Sequence, residues 1–575
     1  MRFSGAALRK GNWLNAAWRA WSGSSRWFKL VVLCLGANLA ETGLVLGFDH
    51  GAQPDLAPQA SAVAPLGVFG DLRWISVYHD SWFVFAAEIV AMLAVRGALT
   101  GISVGLAWPA ERSRPSGRAL FNRGVLATAL SALLLVPSVV VLFGQAAVPV
   151  SWLFLAAVPS ALLVALIVHP IGVTSDWWRR ALSLRAIGWV ALSFVTLTVA
   201  ASAMAASPTM VWPVISALAG LFNAWSWAGL VRALVLRPPA RFVVPAVPVA
   251  AMVLVGTVIG GTVIGFDRGR SPDAGANQLS VRAQGSGQPV LLVSGYGSSW
   301  DGRAVHPIPG DFVEERFSYR GLSPQGRPLP YRGADTVKPL SQLARLLLAQ
   351  VWSLYTKTGK ELDVVAESEG ALVAKSALLA QPGSPVSTLV LASPLVGVGR
   401  VTLTDGDHGW GVATNAGMRL LGDMLHDVAP INLSPNNAFF SSLNSLAPTL
   451  DNAMSCQIPG TRQFALLPLA DATVAPNPTK LPYPSVVLPA FHGGLMESAS
   501  GQRVLSQVLS GRPVSADKFL RLADVAISYA ASAWQVPSLV PSDYPTASAG
   551  VASRSGSLSC QQVGAELRAR LGLGA

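Results

Sequence analysis

Glu361 to Lys375, reading ELDVVAESEGALVAK, places one serine between two stretches of opposite habit. Leu362 to Ala366 is short, apolar and β-branched, which predicts a buried strand. Gly370 to Lys375 has the small and aliphatic residues of a helix packed on a sheet. Ser368 therefore sits in Ala366-Glu367-Ser368-Glu369-Gly370, on a sharp strand-to-helix turn with a small residue two before and two after it. Such a turn is a nucleophile elbow: small neighbours admit a strained backbone, and the helix start aims N–H groups at an oxyanion. A serine hydroxyl is a weak nucleophile and needs a base, which in turn needs a group to orient it. Two later stretches carry such groups. Phe464 to Leu469 is a predicted strand running into Ala470-Asp471-Ala472-Thr473-Val474-Ala475-Pro476. Ser485 to Pro489 is another, ending in Ala490-Phe491-His492-Gly493-Gly494-Leu495-Met496. The first strand of this half, Pro289 to Val293, ends in Ser294-Gly295-Tyr296-Gly297.

On these residues the stretch 289–510 resembles the α/β-hydrolase superfamily, and within it bacterial lipases and esterases. They share a D-x-x-V-x-P turn at the acid and a strand leading into H-x-x-L at the base, with the acid and then the histidine following the serine. The resemblance implies Ser368 as nucleophile, His492 as general base and then acid, and Asp471 holding the imidazole's tautomer and charge. It also implies an oxyanion hole from the backbone N–H groups of Tyr296 and Glu369. Two departures stand out: Ala366 where the family usually has Gly, and Ser294 where it frequently has His. Neither removes a catalytic group. His306, His408 and His426 precede the acid strand or lie in a loop-rich insertion, and Asp405 and Asp407 follow no clear strand end, so they fit the order poorly. Glu367 and Glu369 flank the serine. As charges they would disfavour anionic substrates and raise the pKa of His492; as residues turned away from the pocket they would do neither.

These residues need elements to hold them, and the composition divides those elements into two kinds. Of 575 residues, 51% are hydrophobic and only 13% charged, too apolar for a purely soluble protein. The apolar residues concentrate before about Phe266. Seven stretches near 30–48, 82–107, 120–143, 148–171, 186–206, 211–235 and 242–266 are long enough to cross a bilayer at roughly 20 residues each. The net charge of +12 does not indicate nucleic acid, because residues 1–266 hold 18 basic against 8 acidic residues and the remainder is nearly balanced. Arginines cluster on alternate connections: Arg112, Arg114, Arg118 and Arg123; then Arg179, Arg180 and Arg185; then Arg232, Arg237 and Arg241. The first connection instead holds Asp49, Asp55, Asp71 and Asp80 against Arg73. With the basic, Trp-rich residues 1–29 in the cytoplasm, the positive-inside rule puts the C-terminal half outside the plasma membrane. Asn38, Glu41, Glu88, Arg96 and His169 are the polar exceptions within spans; Glu88 or Glu41 pairing with Arg96 or a backbone group would fix helix packing, with transport or a proton relay as the alternative.

The predicted architecture is an α-helical transmembrane bundle over 30–266, a polar Gly-rich linker over 267–288, and an α/β domain over 289–575. Strands alternating with helices in that domain imply a mainly parallel sheet. The stretch 395–455 reads as a cap insertion that shapes the pocket. An outside location makes a Cys456–Cys560 disulfide the natural pairing, Cys34 being inside the first span. No metal-ligand spacing, dinucleotide fingerprint or phosphate loop occurs in the sequence, so neither metal nor cofactor is expected. The expected partners are the bilayer and a hydrophobic acyl ester. An acyltransferase would use the same residues with another acceptor. A sensor or transporter carrying a hydrolase-derived binding domain is the alternative of a different class.

Overall fold

The computed structural model describes residues 25–47, 54–147, 171–174, 184–236, 287–303, 310–397, 408–426, 437–469, 481–490, 492–496, 498–537 and 558–573, together with Val168, Ile308, Val401 and Leu403. The N-terminal half is helical: α1 (Arg26–Gly47), α2 (Ala64–Ile75), α3 (Trp82–Leu106), α4 (Gly117–Ala147), α5 (Leu184–Ala206) and α6 (Trp212–Val235). All but α2 are long and apolar enough to cross a membrane, five such helices among the described residues. The spans expected near 148–171 and 242–266 fall largely outside those residues, as do the linker and the basic N-terminal segment.

Small residues set the closeness of α3 and α4. A Cβ on Gly124 would stand 2.2 Å from the Gly97 carbonyl oxygen, and one on Gly101 would stand 2.9 Å from that of Leu120. With Gly105 these form a Gly-x3-Gly-x3-Gly ridge on α3, the device by which membrane helices gain backbone contact in the absence of a hydrophobic driving force. The connection between α1 and α2 turns into the bundle as a 3₁₀ turn, Pro54–Gln59. Irregular backbone among membrane helices must find polar partners inside the protein. Asn38 supplies them, donating to the carbonyls of Pro58 and Ser216 and accepting from the Ser61 N–H and hydroxyl. Asn223 donates to Pro58 and Ser61, and the Trp227 indole donates to the Ser61 carbonyl. Arg96 pairs with Asp71 and the Ala60 carbonyl, so its partner is an aspartate of the connection and not Glu41 or Glu88.

The C-terminal half is built on a six-stranded, wholly parallel sheet of order β2-β1-β3-β4-β5-β6. Its strands are β1 (Gln288–Val293), β2 (Phe312–Arg316), β3 (Leu362–Glu367), β4 (Val386–Ala392), β5 (Arg462–Pro468) and β6 (Ser485–Leu488). The central strands β1, β3 and β4 are buried on both faces, which is why they read as unbroken apolar runs. Leu291 and Val293 face one layer, containing α7 (Leu340–Thr358), α8 (Glu369–Ala380), α10 (Ala438–Met454) and α13 (Cys560–Leu571). Val290 and Leu292 face the other, with Leu505 and Val508 of α11 (Ala499–Leu509). α7 begins at Leu340 because Pro339 occupies its N-cap and excludes the helical conformation from the residue before it. The Cys456–Cys560 disulfide is present, with Cα atoms 5.4 Å apart, and joins α13 to the end of α10.

The two halves touch at one end of the bundle. In α9 (Val412–His426), which belongs to the expected cap, the Ala413 N–H donates to His79 Nε2 at 2.9 Å and the Thr414 hydroxyl to the Ser76 carbonyl. A Cβ on Gly144 of α4 would meet Met418 at 2.9 Å. The residues that follow α12 (Lys518–Ser532) enter among the helices. Trp534 stacks on Phe194 of α5 with centroids 4.9 Å apart and donates its indole N–H to Thr198 at 2.8 Å. Fully buried Arg73 donates to the carbonyls of Ala533 and Gln535 and to Gln59.

Candidate active site

β3 delivers Ser368 and α8 starts immediately after it. Ser368 has φ +55° and ψ −118°, a region that L residues avoid and that functional sites hold by surrounding structure. Its N–H continues the ladder by donating to the Ala392 carbonyl at 3.0 Å. The tightness of the turn accounts for its small neighbours. A Cβ on Gly370 would stand 2.6 Å from the Ser294 carbonyl oxygen and 2.7 Å from that of Val293, so α8 lies against the end of β1 only because position 370 is glycine. Ala366 is fully buried and β3 accommodates its methyl, so the departure from glycine there costs the turn nothing visible.

His492 follows β6 and brings Nε2 to 2.7 Å from Ser368 Oγ. The two are 124 residues apart in the chain and on strands separated by β4 and β5, so this contact is the work of the whole sheet. Asp471 lies outside the described residues, in the segment after β5. So do His306, Asp405 and Asp407. His408 is exposed next to the seam with the bundle, and His426 ends α9.

The loop after β1 passes close over the serine. A Cβ on Gly295 would stand 2.9 Å from Ser368 Cβ and 3.4 Å from its Oγ. Tyr296 is fixed from the cap side: its ring stacks on Phe440 at 5.3 Å and lies 5.6 Å from Phe439, and Asn437 Nδ2 donates to its hydroxyl at 3.0 Å. The next residue is held from the other side, where the Gly297 N–H donates to Thr336. Glu369 opens α8, so its backbone N–H is among those a helix leaves without an internal partner. The Tyr296 loop and the start of α8 thus flank Ser368, the arrangement an oxyanion hole requires.

Glu369 is completely buried, and burial raises its pKa well above the usual carboxylate range. One of its oxygens lies 3.4 Å from the Tyr319 hydroxyl, and the other has no hydrogen-bond partner among the described residues. That tyrosine hydroxyl donates to the Ser294 carbonyl and so ties down the loop above the serine. Tyr319 gave no signal in the sequence, since a tyrosine three residues past the end of β2 carries no motif. A second buried titratable group, Lys375, lies on α8 behind the site. It donates to the Cys456 carbonyl and to Gln463, and burial lowers its pKa to about 7.

Comparison of the chain with protein-family models, curated proteins and solved structures finds no match.

Proposed function

We propose that the protein is a membrane-embedded serine hydrolase that cleaves a carboxylic ester through an acyl-enzyme. The observation that carries this reading is the 2.7 Å contact between Ser368 Oγ and His492 Nε2, made by a serine in a strained elbow conformation. In the first step His492 takes the hydroxyl proton as Oγ attacks the ester carbonyl. The tetrahedral oxyanion forms between the Tyr296 and Glu369 N–H groups. Collapse expels the alcohol, which receives the proton from His492. Water then repeats the sequence on the acyl-serine and releases the acid. Asp471 is the group proposed to orient the imidazole. Burial raises the pKa of Glu369 and so disfavours its charged form beside the serine, and the location beside a bilayer favours a lipid or envelope acyl ester as substrate.

The proposed sidedness is supported by where the halves meet. The contacts with the catalytic half involve the ends of α4 and α5 and the start of α3. Arg112, Arg114, Arg118, Arg185 and Arg232 belong to the opposite end, where Arg232 pairs with Glu111 at 2.8 Å. With the arginine-rich end cytoplasmic, the catalytic half is extracytoplasmic.

A fluorophosphonate probe tests the chemistry directly, since it reacts only with an activated serine. Membranes carrying the wild-type protein should label, and Ser368→Ala and His492→Ala should not. A folded wild-type protein that stays unlabelled would overturn the hydrolase reading.

A further inference from the structure

α9 and α12 both approach the bundle from the catalytic half and both leave large apolar side chains uncovered. On α12, Phe519 is 75% exposed and Leu522 67% exposed, and Ala526 continues the same stripe one turn on. Lys518 and Arg521 flank it. On α9, Leu420 and Met424 lie one turn apart at 62% and 64% exposure. A soluble domain rarely leaves such stripes open, and an apolar helix face edged with basic residues suits a bilayer interface.

Their position relative to the spans identifies what covers them. The Ser202 hydroxyl, one turn from the end of α5, donates to the Tyr529 carbonyl at 2.7 Å. Trp534 reaches deeper, to Thr198. α12 therefore descends along α5, and its open stripe lies at the level where α5 leaves the membrane. On the other flank α9 packs on the end of α4 at Val140 and Gly144. The spans beside these contacts present their own exposed apolar residues, including Val199 on α5, Phe83 on α3 and Leu133 on α4. The stripes on α9 and α12 lie beside that exposed apolar surface, with Arg419, Asp423, Lys518 and Arg521 along their edges.

We infer that α9 and α12 are interfacial helices whose apolar stripes enter the leaflet on the side of the catalytic half, seating that half on the bilayer at two points. β6, whose end carries His492, packs against α12, and α9 lies in the insertion that leaves the Ser368 edge of the sheet after β4. The seating thus brings the catalytic edge, rather than the back of the domain, to the membrane. It rests on the bundle crossing a bilayer and not on the chemistry of Ser368.

Single cysteines introduced as Phe519→Cys, Leu522→Cys, Leu420→Cys and Met424→Cys in a Cys34→Ser background test this in full-length protein in lipid nanodiscs. All four positions are exposed, so the substitutions leave the packing intact. Each is labelled with a small fluorophore and quenched either by lipids brominated along the acyl chain or by aqueous iodide. Trp352→Cys, on α7 away from the seam, serves as the aqueous control. Brominated lipid should more than halve the emission at all four positions and leave the control unchanged. Iodide quenching without lipid quenching at either pair would take that helix out of the leaflet and overturn the two-point seating. Neither outcome depends on whether Ser368 reacts, so the hydrolase reading stands or falls separately.

Discussion

At the scale of single residues, the site is governed by how little room surrounds Ser368. The strained turn costs of order 1–3 kcal/mol by itself, and close packing on every side maintains it. Gly295 is the most exposed to test. The 2.9 Å approach to Ser368 Cβ leaves no space for a methyl group, so Gly295→Ala must push the Tyr296 loop away from the serine. That displaces one of the two proposed oxyanion donors while leaving Ser368 and His492 in contact. Loss of one such donor costs roughly 10²–10³ in kcat. The expected result is a fall of that size in ester turnover, with thermal unfolding close to wild type. Turnover within a factor of a few of wild type would mean that the loop carries no donor. Tyr319 acts on the same loop through the Ser294 carbonyl, and it does so beside Glu369, whose pKa burial raises.

At the scale of elements, the sheet was legible because strands buried on both faces have to be continuous apolar runs. β1, β3, β5 and β6 are where those runs stand, within a residue or two at each end. The Ser368–His492 contact was legible for a related reason: in a parallel sheet the strand ends converge on one edge, so order along the chain becomes proximity in space. The glycine ridge of α3 was present in the sequence as Gly97, Gly101 and Gly105 at intervals of four, and its partner Gly124 lies one helix later. What the sequence did not disclose was contact between elements with no shared pattern. α12 has the periodicity of any amphipathic helix, and nothing local says that Trp534 enters a membrane bundle. There it is packed by Phe194, Phe69 and Arg73, the guanidinium carbon lying 5.5 Å from its ring. Removing a buried tryptophan from such a site costs about 3–5 kcal/mol. Trp534→Ala should therefore release the segment after α12 from the bundle while the sheet stays folded. Proteolysis in detergent is the measurement: cleavage between α12 and α13 should accelerate at least tenfold. Unchanged cleavage would show that Arg73 and its carbonyl partners hold the segment without the ring.

At the scale of the whole molecule, one structural fact bears on the compartment independently of the arginines. Cys456 and Cys560 enclose 104 residues of sequence separation and join α13 to a domain it already contacts through Arg568, which donates to the Ala380 carbonyl, and Glu566, which accepts from Thr449. A disulfide closing a loop of this size contributes about 2–5 kcal/mol in an oxidising compartment and would not persist in a reducing cytosol. The proposed extracytoplasmic placement of this half therefore rests on two unrelated grounds, the distribution of basic loops and the redox chemistry of cysteines. They make a joint prediction. In intact cells quenched with a permeant alkylating agent, Cys456 and Cys560 should resist modification until reductant is added. An impermeant phosphonate probe should label Ser368 in those same cells without lysis. Free thiols together with labelling only after lysis would place the catalytic half in the cytoplasm and reverse the bundle. Protected cysteines with no labelling in either state would keep the orientation and leave the serine without an activated hydroxyl, separating the topology of this chain from its chemistry.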